Sequence, residues 1–177
     1  MTSQTARPFT VAGIAAGTWR VVPGASTARF TVRDKLVVTV RGSLPIRAGT
    51  VTLGSAGLLE HAEVELDASA IDTGNSHRDR DLAAPRLLDT TTHPIVVVTA
   101  GPSAPGPTGW ELAATLSARG RACPLTLRAD LVSEDAAGIR VRVQGRLDRT
   151  GLHMKVPTFV IGRHLALDVD LLVAAGP

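Results

Sequence analysis

Residues 139–148, Ile-Arg-Val-Arg-Val-Gln-Gly-Arg-Leu-Asp, decide the fold class of this chain. Ile139, Val141, Val143 and Leu147 fall on one side of an extended backbone, and Arg140, Arg142, Gln144, Arg146 and Asp148 fall on the other, because successive side chains of a strand point to opposite faces. The segment is a strand with one face in a core and one in water. The same period of two recurs along the chain. Ala62, Val64 and Leu66 alternate with Glu63, Glu65 and Asp67. Leu125, Leu127, Ala129 and Leu131 alternate with Arg128 and Asp130, and Leu165, Leu167, Val169 and Leu171 with Asp168 and Asp170. Shorter strands are predicted at 19–22, 28–33, 36–43, 50–53, 95–99 and 110–118, separated by turn residues such as Pro23-Gly24, Gly120 and Ala137-Gly138.

Alternation stops only at 75–88, where helix formers follow a capping residue at Asn75 or Ser76 and one short helix is predicted. Eight to ten amphipathic strands with almost no helix to cover them must bury their apolar faces against one another. The fold class is therefore all-β, either a sandwich or an antiparallel barrel of about eight strands. The inward faces are aliphatic: the chain has three Phe, two Trp and no Tyr. A barrel of that size is just wide enough to be filled by side chains or to hold one small ligand. Periodicity leaves both outcomes open. A hollow barrel would be lined by Trp19, Phe30, Val40, Leu66, Val97, Leu116, Leu127 and Val143.

The 177 residues suit one domain, read as an N-terminal arm over 1–16 and a barrel over 17–177. Hydrophobic residues make up 44% and charged residues 20%, the composition of a globular chain. The net charge is +3, and the arginines alternate with carboxylates, as in Arg78-Asp79-Arg80-Asp81, with no aromatic stacking platform. Nucleic acid is excluded as a partner on that pattern. No run approaches the roughly 20 apolar residues of a membrane span, so stable insertion is not expected. Cys123 is alone and forms no internal disulfide; with the apolar stretch 9–17 read as an arm rather than a leader, the cytoplasm is the expected location. A homodimer is left open.

No catalytic motif is present. The histidines at 61, 77, 93, 153 and 164 show no metal-site spacing, so neither a metal nor another cofactor is expected. No G-x-S-x-G elbow or glycine-rich phosphate loop appears. The densest polar group is Asp72, Thr73, Asn75, Arg78, Asp79 and Arg80. Asp72 and Asp79 are read as hydrogen-bond acceptors that hold the turn and the helix start. Arg78 is the candidate for a ligand head group, placed beside the N–H groups of the first helical turn. Asp148-Arg149 reads as an ion pair that fixes one end of the barrel.

Several of these segments together resemble a known family. Gly17-Thr18-Trp19, Pro23, Ser26, Phe30 and Val40-Arg41-Gly42 are similar to the opening of YceI-like domains, the lipocalin-like barrels known as polyisoprenoid-binding proteins. The block Ala70-Ile71-Asp72-Thr73-Gly74-Asn75, with Arg78-Asp79, Leu82, Leu88-Asp89 and His93-Pro94-Ile95, is closer still. Leu147-Asp148-Arg149 with Gly151-Leu152, and Val160-Ile161-Gly162, match the end of the family pattern. The resemblance runs from Gly17 to Val173. It implies a barrel whose pocket holds an isoprenoid, a polyprenyl or quinone-type lipid. The family histidines of D-P-x-H-S and R-D-x-H-L are replaced here by Ala25 and Asp81, and a third by Asp34, so the polar groups expected at the mouth are rebuilt. A cofactor-free cyclase or isomerase acting on an apolar substrate is the alternative reading.

Overall fold

The structure, a computed structural model, describes residues 10–35, 37–158 and 160–177. Residues 1–9 of the expected arm over 1–16 and the expected strand start at Leu36 lie outside them. Among the described residues ten strands form one antiparallel sheet: β1 (Gly17–Val21), β2 (Thr27–Asp34), β3 (Val38–Leu44), β4 (Ile46–Leu53), β5 (Leu59–Asp67), β6 (Ile95–Ala100), β7 (Gly109–Ala118), β8 (Arg121–Asp135), β9 (Gly138–Asp148) and β10 (His164–Ala175). Their order is β1-β4-β5-β6-β7-β8-β9-β10-β2-β3, and β1 also pairs with β10.

The sheet closes as an eight-stave barrel. Ala166–Asp170 of β10 pairs with β2, while its last residues pair with β1, Val173 opposite Val21 and Ala175 opposite Trp19. Strands β1 and β2 are thus one stave, broken by the 3-10 turn Pro23–Ala25. Their partners β4 and β3 are a second, kinked at Pro45, whose missing N–H suits a ladder break. The β7–β8 hairpin turns on Arg119 and Gly120, both at positive φ (53° and 66°), the conformation a two-residue turn needs to match strand twist.

The predicted faces are those observed, with one correction. Val96 and Val98 point inward, and Val97 lies on the outer face, opposite Glu65 and Ser117. Ile95-Val96-Val97-Val98 is apolar at every position and carries no alternation from which to read its register.

One end of the barrel is shut. A 3-10 turn at Val11–Gly13 brings Val11 and Ile14 into the core, and the Trp110 indole Nε1 donates 2.8 Å to the Gly57 carbonyl across the closed end. At the other end β5 stops at Asp67 while β3 continues past it, and residues 68–94 cover the interval before β6. That segment holds α1 (Ser76–Ala83). Asn75 caps it as expected, its Oδ1 accepting from the His77 and Arg78 amides at 3.1 Å. The helix is shorter than the predicted 75–88. Pro85 forces Ala84 into extended backbone (φ −64°, ψ 154°), and the chain leaves the helix there. No helix of the described residues is long and apolar enough to cross a membrane.

Replacing Trp110 by Phe keeps the ring and strands the buried Gly57 carbonyl. Stability should fall by about 1–3 kcal/mol, read as a lower urea midpoint. Trp19→Phe, which removes an exposed 3.2 Å bond to Ala15, should change it much less.

Candidate functional site

The barrel is hollow. A cavity of about 140 Å³ sits toward the closed end, lined by the rings of Trp19 and Trp110 and by aliphatic side chains that include Ile14, Leu127, Ile139 and Val143. A larger one of about 520 Å³ sits toward the open end, lined by Phe30, Val32, Val40, Leu116, Leu147 and Leu165 from the strands. The two share Leu66, Val98, Leu167 and Val169 as a common wall. Small inward residues shape this space. Phe30 lies across its ladder partner Gly42, where a Cβ would stand 2.3 Å from the ring.

The structure gathers eight of the nine sequence-predicted site residues on these walls. Trp19, Leu127 and Val143 line the smaller cavity, Phe30, Val40, Arg78 and Leu116 the larger, and Leu66 both. Val97 is excluded by its register. The polar group before α1 separates into two tasks. Asp79 accepts from the Thr73 amide at 3.0 Å and its hydroxyl at 2.6 Å, and Asp72 accepts from the Gly74 amide at 2.7 Å. Both carboxylates therefore hold the turn. Arg78 is half-buried on the cavity wall, and among the described residues it has no ion-pair partner. Among the described residues no three His, Cys, Asp or Glu side chains lie close enough to share a metal ion.

The roof of the larger cavity escaped the sequence reading. It consists of Ile71, Leu82, Leu87 and Leu88 from the 68–94 segment and Met154, Val156, Val160 and Ile161 from the strap that joins β9 to β10. Neither segment has a period from which to infer a face. The apolar pairs Leu87-Leu88 and Val160-Ile161 were the only signal.

Arg149 ties the strap down. It is 1% exposed, yet Asp148 is not its partner. Its guanidinium donates to backbone carbonyls instead: Nε to Gly162 at 2.9 Å and Ile161 at 3.2 Å, Nη1 to Val156 at 3.2 Å, and Nη2 to Val156 and Pro157 at 3.2 Å and to Ile161. Five N–H groups in a fixed fork suit this task. Burial pushes its pKa down, opposed by the Asp148 charge. The expected Asp148–Arg149 ion pair is corrected: Asp148 accepts from Arg163 Nε at 2.8 Å and from the Thr150 amide and hydroxyl at 3.0 and 2.6 Å. Arg163 first, then Thr150, holds the Asp148 carboxyl well below the usual carboxylate range. Arg119 fastens the other side, donating to the Leu152, His153 and Pro85 carbonyls at 2.9, 3.1 and 3.0 Å. Cys123 is buried, and burial raises its thiol pKa, which makes it unreactive.

A closed antiparallel barrel with an aliphatic interior and one polar, roofed end defines a lipocalin-like, hollow-barrel protein. This chain belongs to the YceI-like domain family, whose model matches residues 19–173. It is similar in structure to BcnA of Burkholderia cenocepacia (TM-score 0.73, 18% identity, 88% of this chain and 99% of that one). It is similar also to a polyisoprenoid binding domain from Saccharophagus degradans (TM-score 0.67, 17% identity, 92% and 100%). A third likeness is to the Campylobacter jejuni YceI protein (TM-score 0.69, 15% identity, 80% and 87%). No curated protein matches the chain significantly.

Two outcomes follow for the strap. Arg149→Met should leave four carbonyls without their donor, and amide exchange across 156–162 should accelerate by more than that of the barrel strands. Asp148, Asp130 and Asp168, each with its carboxyl lowered chiefly by an arginine, contribute stability present above the unfolded value near about 4 and lost as pH falls through their folded values. The urea midpoint should therefore drop between pH 5 and 2, counted as roughly the span of those titrations, and Arg163→Gln should flatten that drop.

Proposed function

We infer that the chain binds one elongated apolar molecule of the isoprenoid class, a polyprenyl or quinone-type lipid, with its tail in the smaller cavity and its polar end beneath the roof. The observation that carries this is the graded interior: a wholly apolar chamber, aliphatic but for Trp19 and Trp110, continues into a larger one whose rim alone is polar. The larger volume lies within the roughly 300–1,000 Å³ of small-molecule sites. The smaller is close to the cavity of about 150 Å³ that takes a benzene ring. Aliphatic walls favour a flexible hydrocarbon, whose burial contributes about 25 cal/mol per Å². Family membership and the likeness to a polyisoprenoid binding domain support the same class.

Arg78 is the head-group contact in this reading. The carboxylates that would otherwise claim it are engaged, Asp79 by Thr73 and Asp81 by Arg86 at 4.0 Å. A phosphate or carbonyl at the mouth would meet a half-buried guanidinium with free donors.

Native mass spectrometry of the purified chain, followed by solvent extraction, should release a prenyl lipid. Val143→Trp should fill the smaller cavity and abolish retention of a long prenyl alcohol while the β-sheet spectrum is unchanged. Arg78→Ala should weaken a prenyl phosphate by about 1.5–3 kcal/mol and leave the neutral alcohol unaffected. Unchanged retention in Val143→Trp would overturn the placement of the tail, and equal losses for both ligands would remove Arg78 from the site.

A further inference from the structure

The open end carries features that holding a ligand inside the barrel does not require. The β2–β3 turn projects Val37 and Val38, which are 82% and 52% exposed. The other exposed large apolar residues described, Leu58 and Val132, are isolated and lie elsewhere, Leu58 on the β4–β5 turn of the closed end. A pair of water-exposed valines on a turn costs solubility and contributes nothing to the core.

That turn is fixed to the roof. The Lys35 amide donates to Val160, the Gly162 amide donates to Arg33 at 2.7 Å, and Asp34 bridges to Ile161. On its far side the strap joins the end of the α1 segment, the Lys155 amide donating 3.0 Å to Arg86. The valine pair and the exposed cations Lys35, Lys155 and Arg86 are thereby set on one continuous rim. Lys35 and Lys155 are the only lysines in the chain, and both stand here. Arg78 adds a fourth cation; the acids that line the larger cavity are Asp34 and Asp81, the second facing Arg86 at 4.0 Å.

We propose that this rim docks on the surface of an anionic lipid bilayer, with Val37 and Val38 entering the headgroup layer and Lys35, Lys155 and Arg86 lying against lipid phosphates. Charge complementarity selects the partner, since clustered Lys and Arg are drawn to anionic leaflets and exposed apolar residues beside them enter the interface. Continuity with the cavity selects it again. An apolar ligand that enters through this end leaves a phase in which it dissolves, and a rim seated in the bilayer spares it the passage through water. The proposal rests on the lipid-binding reading for its purpose, and the surface itself is testable separately.

The test is flotation of the full chain with vesicles of phosphatidylcholine alone or mixed with phosphatidylglycerol. The wild type should float with the mixed vesicles, more weakly as salt shortens the Debye length below about 8 Å, and not with phosphatidylcholine alone. Val37→Asp with Val38→Asp, and separately Lys35→Glu with Lys155→Glu, should each cut the bound fraction roughly tenfold or more. Leu58→Asp at the closed end should not change it. Uptake of a prenyl alcohol delivered without vesicles should be the same as wild type in the double valine variant and in Leu58→Asp; the variant at Lys155, which lines the larger cavity, is read by flotation alone. Rim variants that float like wild type, or a wild type that binds polyglutamate but no vesicle, would overturn the proposal, the second in favour of an acidic protein partner. Flotation without prenyl uptake would retain the docking surface and overturn the ligand reading; uptake without flotation would do the reverse.

Discussion

Strand β10 pairs along one edge with β9, and along the other with β2 in its first half and β1 in its last residues. That shared ladder converts an open sheet into a closed wall, and the width of the wall is then set by strand number and stagger rather than by the side chains inside it. A helical bundle with a core of valine, leucine and alanine collapses until the space between its helices is gone. A closed ladder cannot contract without breaking hydrogen bonds around its whole circumference. Small inward side chains therefore leave volume, and the scarcity of aromatic residues becomes a cavity instead of a tighter core.

Closing the wall leaves two ends to manage, and the chain treats them differently. The Val11–Gly13 turn, Ile14 and Trp110 plug one with apolar mass and a single buried hydrogen bond. The other is roofed by two irregular segments that are held mainly through backbone carbonyls, with Arg149 and Arg119 as the donors. Irregular backbone over an apolar space has polar groups that no ladder satisfies, and a guanidinium supplies several donors from one side chain. The result is a roof fixed in place by charge and a chamber beneath it that stays apolar.

The two ends also differ in what they offer to the outside. The roof fastens the β2–β3 turn to the strap, so Val37 and Val38 are held at a fixed place beside the cations of the rim. Chemistry suited to a ligand inside the barrel and chemistry suited to a surface outside it meet at one opening.

Much of this was legible in the sequence, because a strand with one buried face writes its geometry into every second residue. Ile139, Val141, Val143 and Leu147 announced an inward face before any partner strand was known, and the same rule placed seven of the eight strand residues expected to line the interior. The cap at Asn75 was equally local, as it needs only a side-chain oxygen and the amides that follow it. Register in residues 95–98 was not legible, since a run apolar at every position fits either face, and only pairing with Glu65 and Ser117 turned Val97 outward. Nor was the partner of Arg149, which passed over its neighbour Asp148 for carbonyls of residues 156, 157, 161 and 162. Local periodicity encodes which way a side chain points. Closure, the roof and the meeting of Lys35, Lys155 and Arg86 on one rim join residues far apart in the chain, and only the tertiary ladder brings them together.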